Sequence, residues 1–262
     1  AYDAVNLRVD PKNPLTFATP EIAVGQSEQA AQFDLIHKLN TLNAGQYPGD
    51  KTLAARMKSY QLAYNMQAAV PETMNLDSES AETKKLYGMD DKTTEPFARQ
   101  LLVARRLAER GVRFIQLQHG DGAAGAWDSH SGLKKSHSML AQQVDKPISG
   151  LLKDLKQRGL LDDTLVVFAT EFGRTPGSQG SDGRDHHPYG FSVWMAGGGV
   201  KGGTIHGSTD ELGFHAEEHP HYVTDVHATI MHLLGLDPHR LEIPGRKRLE
   251  RDFGQVIPQV LA

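Results

Sequence analysis

The chain contains no cysteine. That excludes disulfides, thiolate-ligated zinc and a cysteine nucleophile, and it leaves the redox compartment open. No apolar run is long enough to span a bilayer, so no membrane partner is expected. The first residues, AYDAVNLRVD, have neither the basic n-region nor the apolar h-region of a signal peptide, so any export signal is expected to have been removed or never to have existed. Dense basic runs are scarce too. Arg246-Lys247-Arg248 stands alone in a chain of net charge −4 and pI about 6.4, so the electrostatic footprint of a nucleic-acid partner is missing. Low-complexity tracts and coiled-coil patterns are also lacking. What remains is 262 residues with 39% hydrophobic content, enough for one large core or two modest ones.

Residues 1–26 carry Pro11, Pro14 and Pro20 among polar residues and read as an irregular arm. From Ser27, taken as an N-cap, Phe33, Ile36, Leu39 and Leu42 recur at near-helical spacing up to the terminator Gly45. A second helix is predicted over Lys51–Ala69, and Pro71 to Thr94 reads as a polar connector with short helical pieces. Residues 1–95 are therefore mainly helical, and an α/β core follows over 96–262 within a single domain. Pro96–Arg110 predicts a helix closed by Gly111. Val112–Gln118 alternates toward a strand that ends at His119-Gly120-Asp121, ahead of Trp127-Asp128-Ser129-His130. Ser138–Arg158 is helical with an interruption at Pro147. The apolar run Leu165–Ala169 reads as a buried strand of a parallel sheet, which makes the unit a right-handed βαβ crossover.

Beyond that strand lies Glu171, then a Gly-, Ser- and Asp-rich loop carrying Arg174, Arg184, Asp185, His186 and His187, then a second apolar run from Phe191 to Ala196. In open α/β sheets, ligands bind on loops beyond the carboxyl ends of strands. A carboxylate and imidazoles delivered there are what a divalent cation needs, since zinc takes nitrogen and oxygen ligands and keeps a position open for catalysis. Twelve of the thirteen histidines lie between His119 and His239. Asp128, His130, Glu171 and His187 are the leading metal candidates, with His186 competing for the last place. Arg174 and Arg184 are candidate clamps for a phosphate or sulfate, or else partners of Glu171 and Asp185. Later features read as structural. A short strand is expected at Thr204–His206; His215, His219 and His221 fall in a polar loop; Thr224 or Asp225 caps a helix closed by Gly235. His227 and His232, five apart, share no helix face. Arg246 to Arg251 reads as a solvated charged segment.

The motifs WDSH, TLVVFATEFGRTP, GRDHHP, FSVWMAGGGVKGGTIHG and DVHATIMHLLGL resemble the carboxyl half of domain-of-unknown-function family 1501, a relative of sulfatases and alkaline phosphatases, and the resemblance covers about residues 50–250. The resemblance implies an α/β, alkaline-phosphatase-like fold: a mostly parallel sheet flanked by helices, here lacking the first strands and, with them, the leading metal-binding Asp and the nucleophile. It further implies Asp128 and His130 as an Asp-plus-His pair, Glu171 in the place of a strand-end aspartate, and His187 or His186 as the last ligand of a divalent metal ion, zinc or calcium. Glu171-Phe172 departs from the Asp-His of phosphatases, which removes one imidazole. The implied activity is metal-dependent hydrolysis of phosphate or sulfate esters on a small molecule or carbohydrate, in a periplasmic or secreted setting. The alternative is a non-catalytic metal-binding or structural member of the same fold. The nucleophile is not identifiable from the sequence.

Overall fold

The structure is a computed structural model and describes residues 6–8, 24–47, 49–120, 126–242 and 251–262. The arm with Pro11, Pro14 and Pro20, the residue Asp121 and the basic group Arg246-Lys247-Arg248 lie outside the described residues. The chain divides into two compact units, Tyr2–Ser78 and Glu79–Ala262.

The first unit is a helical hairpin. Helix α1, Gln26–Gly45, begins after Gly25 rather than at a Ser27 cap. Helix α2, Lys51–Met74, starts at Asp50, whose carboxylate accepts the backbone N–H groups of Thr52 and Leu53, both at 2.9 Å. The two helices meet where Phe33 stacks on Tyr64 with ring centroids 4.1 Å apart. Two helices cannot enclose a whole apolar stripe, and Ile36, Leu39 and Leu42 stay exposed.

The core of the second unit is a packing of three helices: α3 (Ala81–Tyr87), α4 (Glu95–Glu109) and α5 (Leu133–Gln157). Leu101, Leu102, Leu140, Val144, Leu151 and Leu155 fill it, and Gly150 lies against the backbone of Leu86 and Tyr87. Helix α5 begins five residues earlier than its periodicity predicts and runs through Pro147, which is buried in the core. Inside the same interface sits an ionic network. Arg105 pairs with Glu79 at 2.5 Å and with Glu109 at 2.7 Å, and Arg106 reaches Glu79 at 2.6 Å. Asp154 accepts the Tyr87 hydroxyl at 3.0 Å and Arg158 Nε at 2.7 Å.

The β structure of this unit departs most from expectation. Strand β1, Val166–Phe168, pairs antiparallel with β4, Trp194–Ala196, with Phe168 opposite Trp194 and the two rings stacked at 5.7 Å. Between them β2, Gly173–Arg174, pairs antiparallel with β3, His186–His187. The segment 166–196 is thus one hairpin nested inside another, not a strand of a parallel sheet. A third antiparallel pair joins β5, Ser208–Thr209, to β6, Ala216–Glu218, so the strand expected at Thr204–His206 begins four residues later. Among the described residues all three sheets are two-stranded and antiparallel. Val112–Gln118 is not assigned to any strand, and Phe114 is 70% exposed. The predicted βαβ crossover is not formed, because 166–168 finds its ladder partner downstream, across a long loop, instead of upstream. The observed class is mixed α/β. Helix α6, Val223–Leu233, starts from Tyr222, whose backbone N–H donates to Asp225 at 3.1 Å in a capping box; Asp225 is its third residue, not its cap.

Candidate metal centre

The first ligand is positioned by an aromatic anchor. Trp127 lies between His119 and His137, with ring centroids 5.7 and 5.3 Å away. Its indole N–H donates to His119 Nδ1 at 3.0 Å, and His119 Nε2 then donates to Gln143 at 3.1 Å. Burial holds the His119 pKa below its ordinary value, against the pull of the Gln143 bond. His119 is therefore a neutral support, not a ligand. His137 Nε2 donates to the Trp127 carbonyl at 3.0 Å, so the turn that presents Asp128 is pinned on both sides.

The second strap is made of backbone. The Arg184 N–H donates to the Ser129 carbonyl at 3.1 Å, and the Leu133 N–H to the Asp182 carbonyl at 3.3 Å. Gly183 sits where any Cβ would overlap the His130 carbonyl, so only glycine lets the two segments close this tightly. Gln179 and Gly183 exchange both backbone hydrogen bonds, at 2.9 and 3.1 Å, which turns the chain back toward β3. Sequence-distant Asp128 and His186 are thereby brought together.

At the centre is one carboxylate oxygen. Asp128 Oδ1 lies 3.0 Å from His130 Nε2, 3.0 Å from His186 Nε2 and 2.5 Å from Arg174 Nη1. These neighbours, His186 first and Arg174 next, outweigh partial burial and hold the Asp128 pKa at about 2. The carboxylate is ionised at any physiological pH. His130 Nδ1 faces the side-chain oxygen of Gln179 at 2.5 Å and donates to it. That leaves the Nε2 lone pair of neutral His130 pointed at the carboxylate. Either a proton or a cation between them removes the repulsion. Asp128, His130 and His186 each offer one ligand atom, all within 4.8 Å of one another. Phe172 packs against His186 at 4.7 Å, with the Arg174 guanidinium 5.9 Å from its ring.

A protein-family model described as "Protein of unknown function (DUF1501)" matches residues 1–261. The chain belongs to this family. The match runs beyond the span of about residues 50–250 that the resemblance covers. No curated protein and no solved structure matches the chain.

Of the residues singled out from sequence, this DUF1501 chain gathers Asp128, His130 and His186, with Arg174 beside them. His187 is not among them. It is buried, its Nε2 donates to the Phe214 carbonyl, and its ring packs on Tyr189 and Phe214. Successive strand residues face opposite ways, so once His186 points to Asp128 its neighbour must point inward. Glu171 lies in the bend before β2, exposed and outside the gathered ligand atoms, while Phe172 packs on His186 and Arg174 pairs with Asp128. Arg184 is turned away as well, with Nη1 donating to the Gly183 carbonyl at 2.8 Å and to Ser178 at 3.4 Å. Arg174 pairs with Asp128 rather than with Glu171 or Asp185. Gln179 and Trp127 carried no chemical signature in the sequence; their roles depend on a turn and a ring contact that spacing does not reveal.

Proposed function

We propose that Asp128, His130 and His186 hold a zinc ion and that this centre serves a hydrolase acting on phosphate or sulfate esters, with Arg174 as the anion-binding group. The observation that carries the reading is the convergence of one carboxylate and two imidazoles within 4.8 Å. Three protein ligands with a position left open is the pattern of catalytic zinc. Calcium fits poorly, because it takes six to eight oxygens and this set supplies mainly nitrogen. A bound zinc would supply positive charge that acidifies water and offsets the charge of a phosphoryl or sulfuryl group.

The chain's own residues would do the rest. Gln179 fixes the His130 ring with Nε2 toward the centre, as a second-layer partner does for a metal-bound imidazole. The Arg174 guanidinium, only 23% exposed in its side chain, matches the oxygens of a tetrahedral anion. The alkaline-phosphatase-like superfamily remains the framework we propose for this chain; the motif set supports it, although no parallel sheet forms among the described residues. A carbohydrate or small-molecule ester and a periplasmic or secreted location are part of the same proposal. Among the described residues no helix is long and apolar enough to cross a membrane.

The second reading is a cation site without catalysis, and a specific observation favours it. Thr170, immediately before Glu171, donates to the Phe172 carbonyl at 2.8 Å, and Ser129, between two of the ligands, is buried. Covalent transfer needs a hydroxyl or thiol held in line beside the metal. The test is zinc binding by titration alongside a panel of aryl phosphate and sulfate esters, comparing wild type with His186→Ala. Zinc-dependent turnover lost in the variant supports the hydrolase. Zinc bound without turnover supports the cation site, and no zinc bound at this centre ends both.

A further inference from the structure

A second group of histidines lies at the base of the β5–β6 hairpin. The ladder pairs Ser208 with Glu218, so residues just before β5 and just after β6 are neighbours. Gly207 stands at φ +80°, with the Glu218 carbonyl where a Cβ would be crowded, and this lets the two legs approach closely. His206 on one leg meets His219 and His221 on the other. The Nε2 atoms of His206 and His221 face each other at 2.9 Å. The His219 ring stacks on His206 at 5.1 Å, carried by a backbone at φ +48° that side-chain-bearing residues rarely adopt.

Behind His221 stands a carboxylate. Asp225 Oδ2 lies 3.4 Å from His221 Nδ1 and accepts the Tyr222 N–H, while Oδ1 accepts the Gln255 N–H at 2.8 Å. Burial pushes the Asp225 pKa up, but the Gln255 and Tyr222 N–H groups and His221 outweigh it and keep the group ionised. An ionised carboxylate on Nδ1–H sets the His221 tautomer with its lone pair on Nε2. That is the arrangement by which carboxylate–histidine pairs orient metal-binding imidazoles.

We propose that His206 and His221 form a second, separate site for an imidazole-preferring divalent transition ion, Zn²⁺ or Cu²⁺, with Asp225 as the group that orients His221. Two nitrogens bound at about 2.0–2.1 Å around a tetrahedral ion stand about 3.3 Å apart, so the facing pair needs to open by only about 0.4 Å. Water completes the coordination on this open surface, and soft or nitrogen ligation excludes magnesium and calcium. No residue of the Asp128 centre takes part.

The experiment is a titration of metal-stripped protein with Zn²⁺ against a chromophoric chelator, counting equivalents. Wild type is expected to bind two; His206→Ala with His221→Ala loses one and keeps the equivalent that His186→Ala removes. Asp225→Asn lowers affinity at this site about 10- to 100-fold. Imidazole resonances of His206 and His221 in the wild type shift on zinc addition, a readout that requires no variant to fold. One equivalent lost with His206→Ala but kept in His186→Ala sinks the Asp128 reading and leaves this one standing. If removing His206 and His221 leaves the equivalents unchanged and their wild-type resonances do not move, this proposal is overturned.

Discussion

His186 and His187 are adjacent, and their two alanine variants separate a ligand from a core residue. A ligand that binds only the folded state stabilises it by RT ln(1 + [L]/Kd), about 2.7 kcal/mol when zinc is at one hundred times Kd. The Asp128 centre sits wholly in the Glu79–Ala262 unit. For a unit of that size each kcal/mol moves Tm by about 2–4 °C, so saturating zinc raises it by about 5–11 °C over the chelated protein. His186→Ala leaves apo Tm nearly unchanged, because the side chain is 48% exposed, and abolishes the zinc response at this centre. His187→Ala does the reverse. It strands the Phe214 carbonyl and opens a gap between Tyr189 and Phe214, lowering apo Tm while the zinc-dependent rise persists. Differential scanning fluorimetry with chelator and with graded zinc reads both effects, in a His206→Ala, His221→Ala background so that one site is followed. A zinc response that survives His186→Ala and disappears in His187→Ala would refute the strand-alternation argument. Identical curves with and without zinc in the parent would refute the site.

Three further outcomes are expected. Asp154→Ala removes the buried partner of Tyr87, Arg105 and Arg158 and costs about 3–5 kcal/mol, read as a lower urea midpoint; a loss below about 1 kcal/mol contradicts the network. Burial raises the Glu79 pKa, but its bonds to Arg105 and Arg106 prevail and lower it, so this pair stabilises the fold above the unfolded value near 4.5 and the contribution is lost as pH falls through the lower folded value. Glu79→Gln should therefore flatten stability measured between pH 5 and pH 3, and an unchanged profile refutes the assignment. Asp128, held at about 2 chiefly by His186 and Arg174, should titrate nearer its ordinary 3.8 in Arg174→Ala when followed by carboxyl NMR; a midpoint that stays at about 2 would mean the guanidinium contributes little.

Helices were legible where local chemistry decides them. The stops at Gly111 and Gly235, both at positive φ, and the α4 bounds follow from propensity and capping alone. Strand partners were not legible. Leu165–Ala169 has the composition of a parallel core strand, yet direction is set by whichever segment completes its backbone hydrogen bonds, and Trp194–Ala196 does so from the opposite sense. The exposed Phe168 ring, stacked on Trp194, shows that an apolar run need not be buried on both faces. Asp128 and His130 stood out because a carboxylate and an imidazole two apart on a loop are a ligand pattern. Choosing between His186 and His187 required the β2–β3 register, which depends on a one-residue phase that no spacing rule supplies. His206 and His221 read as separate structural residues because a hairpin base joins residues fifteen apart, with no shared helix face to link them.

The placement of Arg174 links the two readings of the Asp128 centre. A guanidinium on the carboxylate oxygen that faces both imidazoles neutralises the aspartate when no cation is there, which is why the cluster tolerates its own charge. A cation at the same carboxylate would weaken that pair, because two positive charges about 4 Å apart repel by several kcal/mol at the effective dielectric of a partly buried site. In the proposed hydrolase, an anionic ester oxygen would compensate Arg174 once Asp128 is taken. Cation and anion should therefore bind with positive coupling, each raising the affinity of the other by the same factor. Positive coupling measured between zinc and an anionic ester would favour a substrate-binding centre, and independent binding of the two would favour a cation site without catalysis.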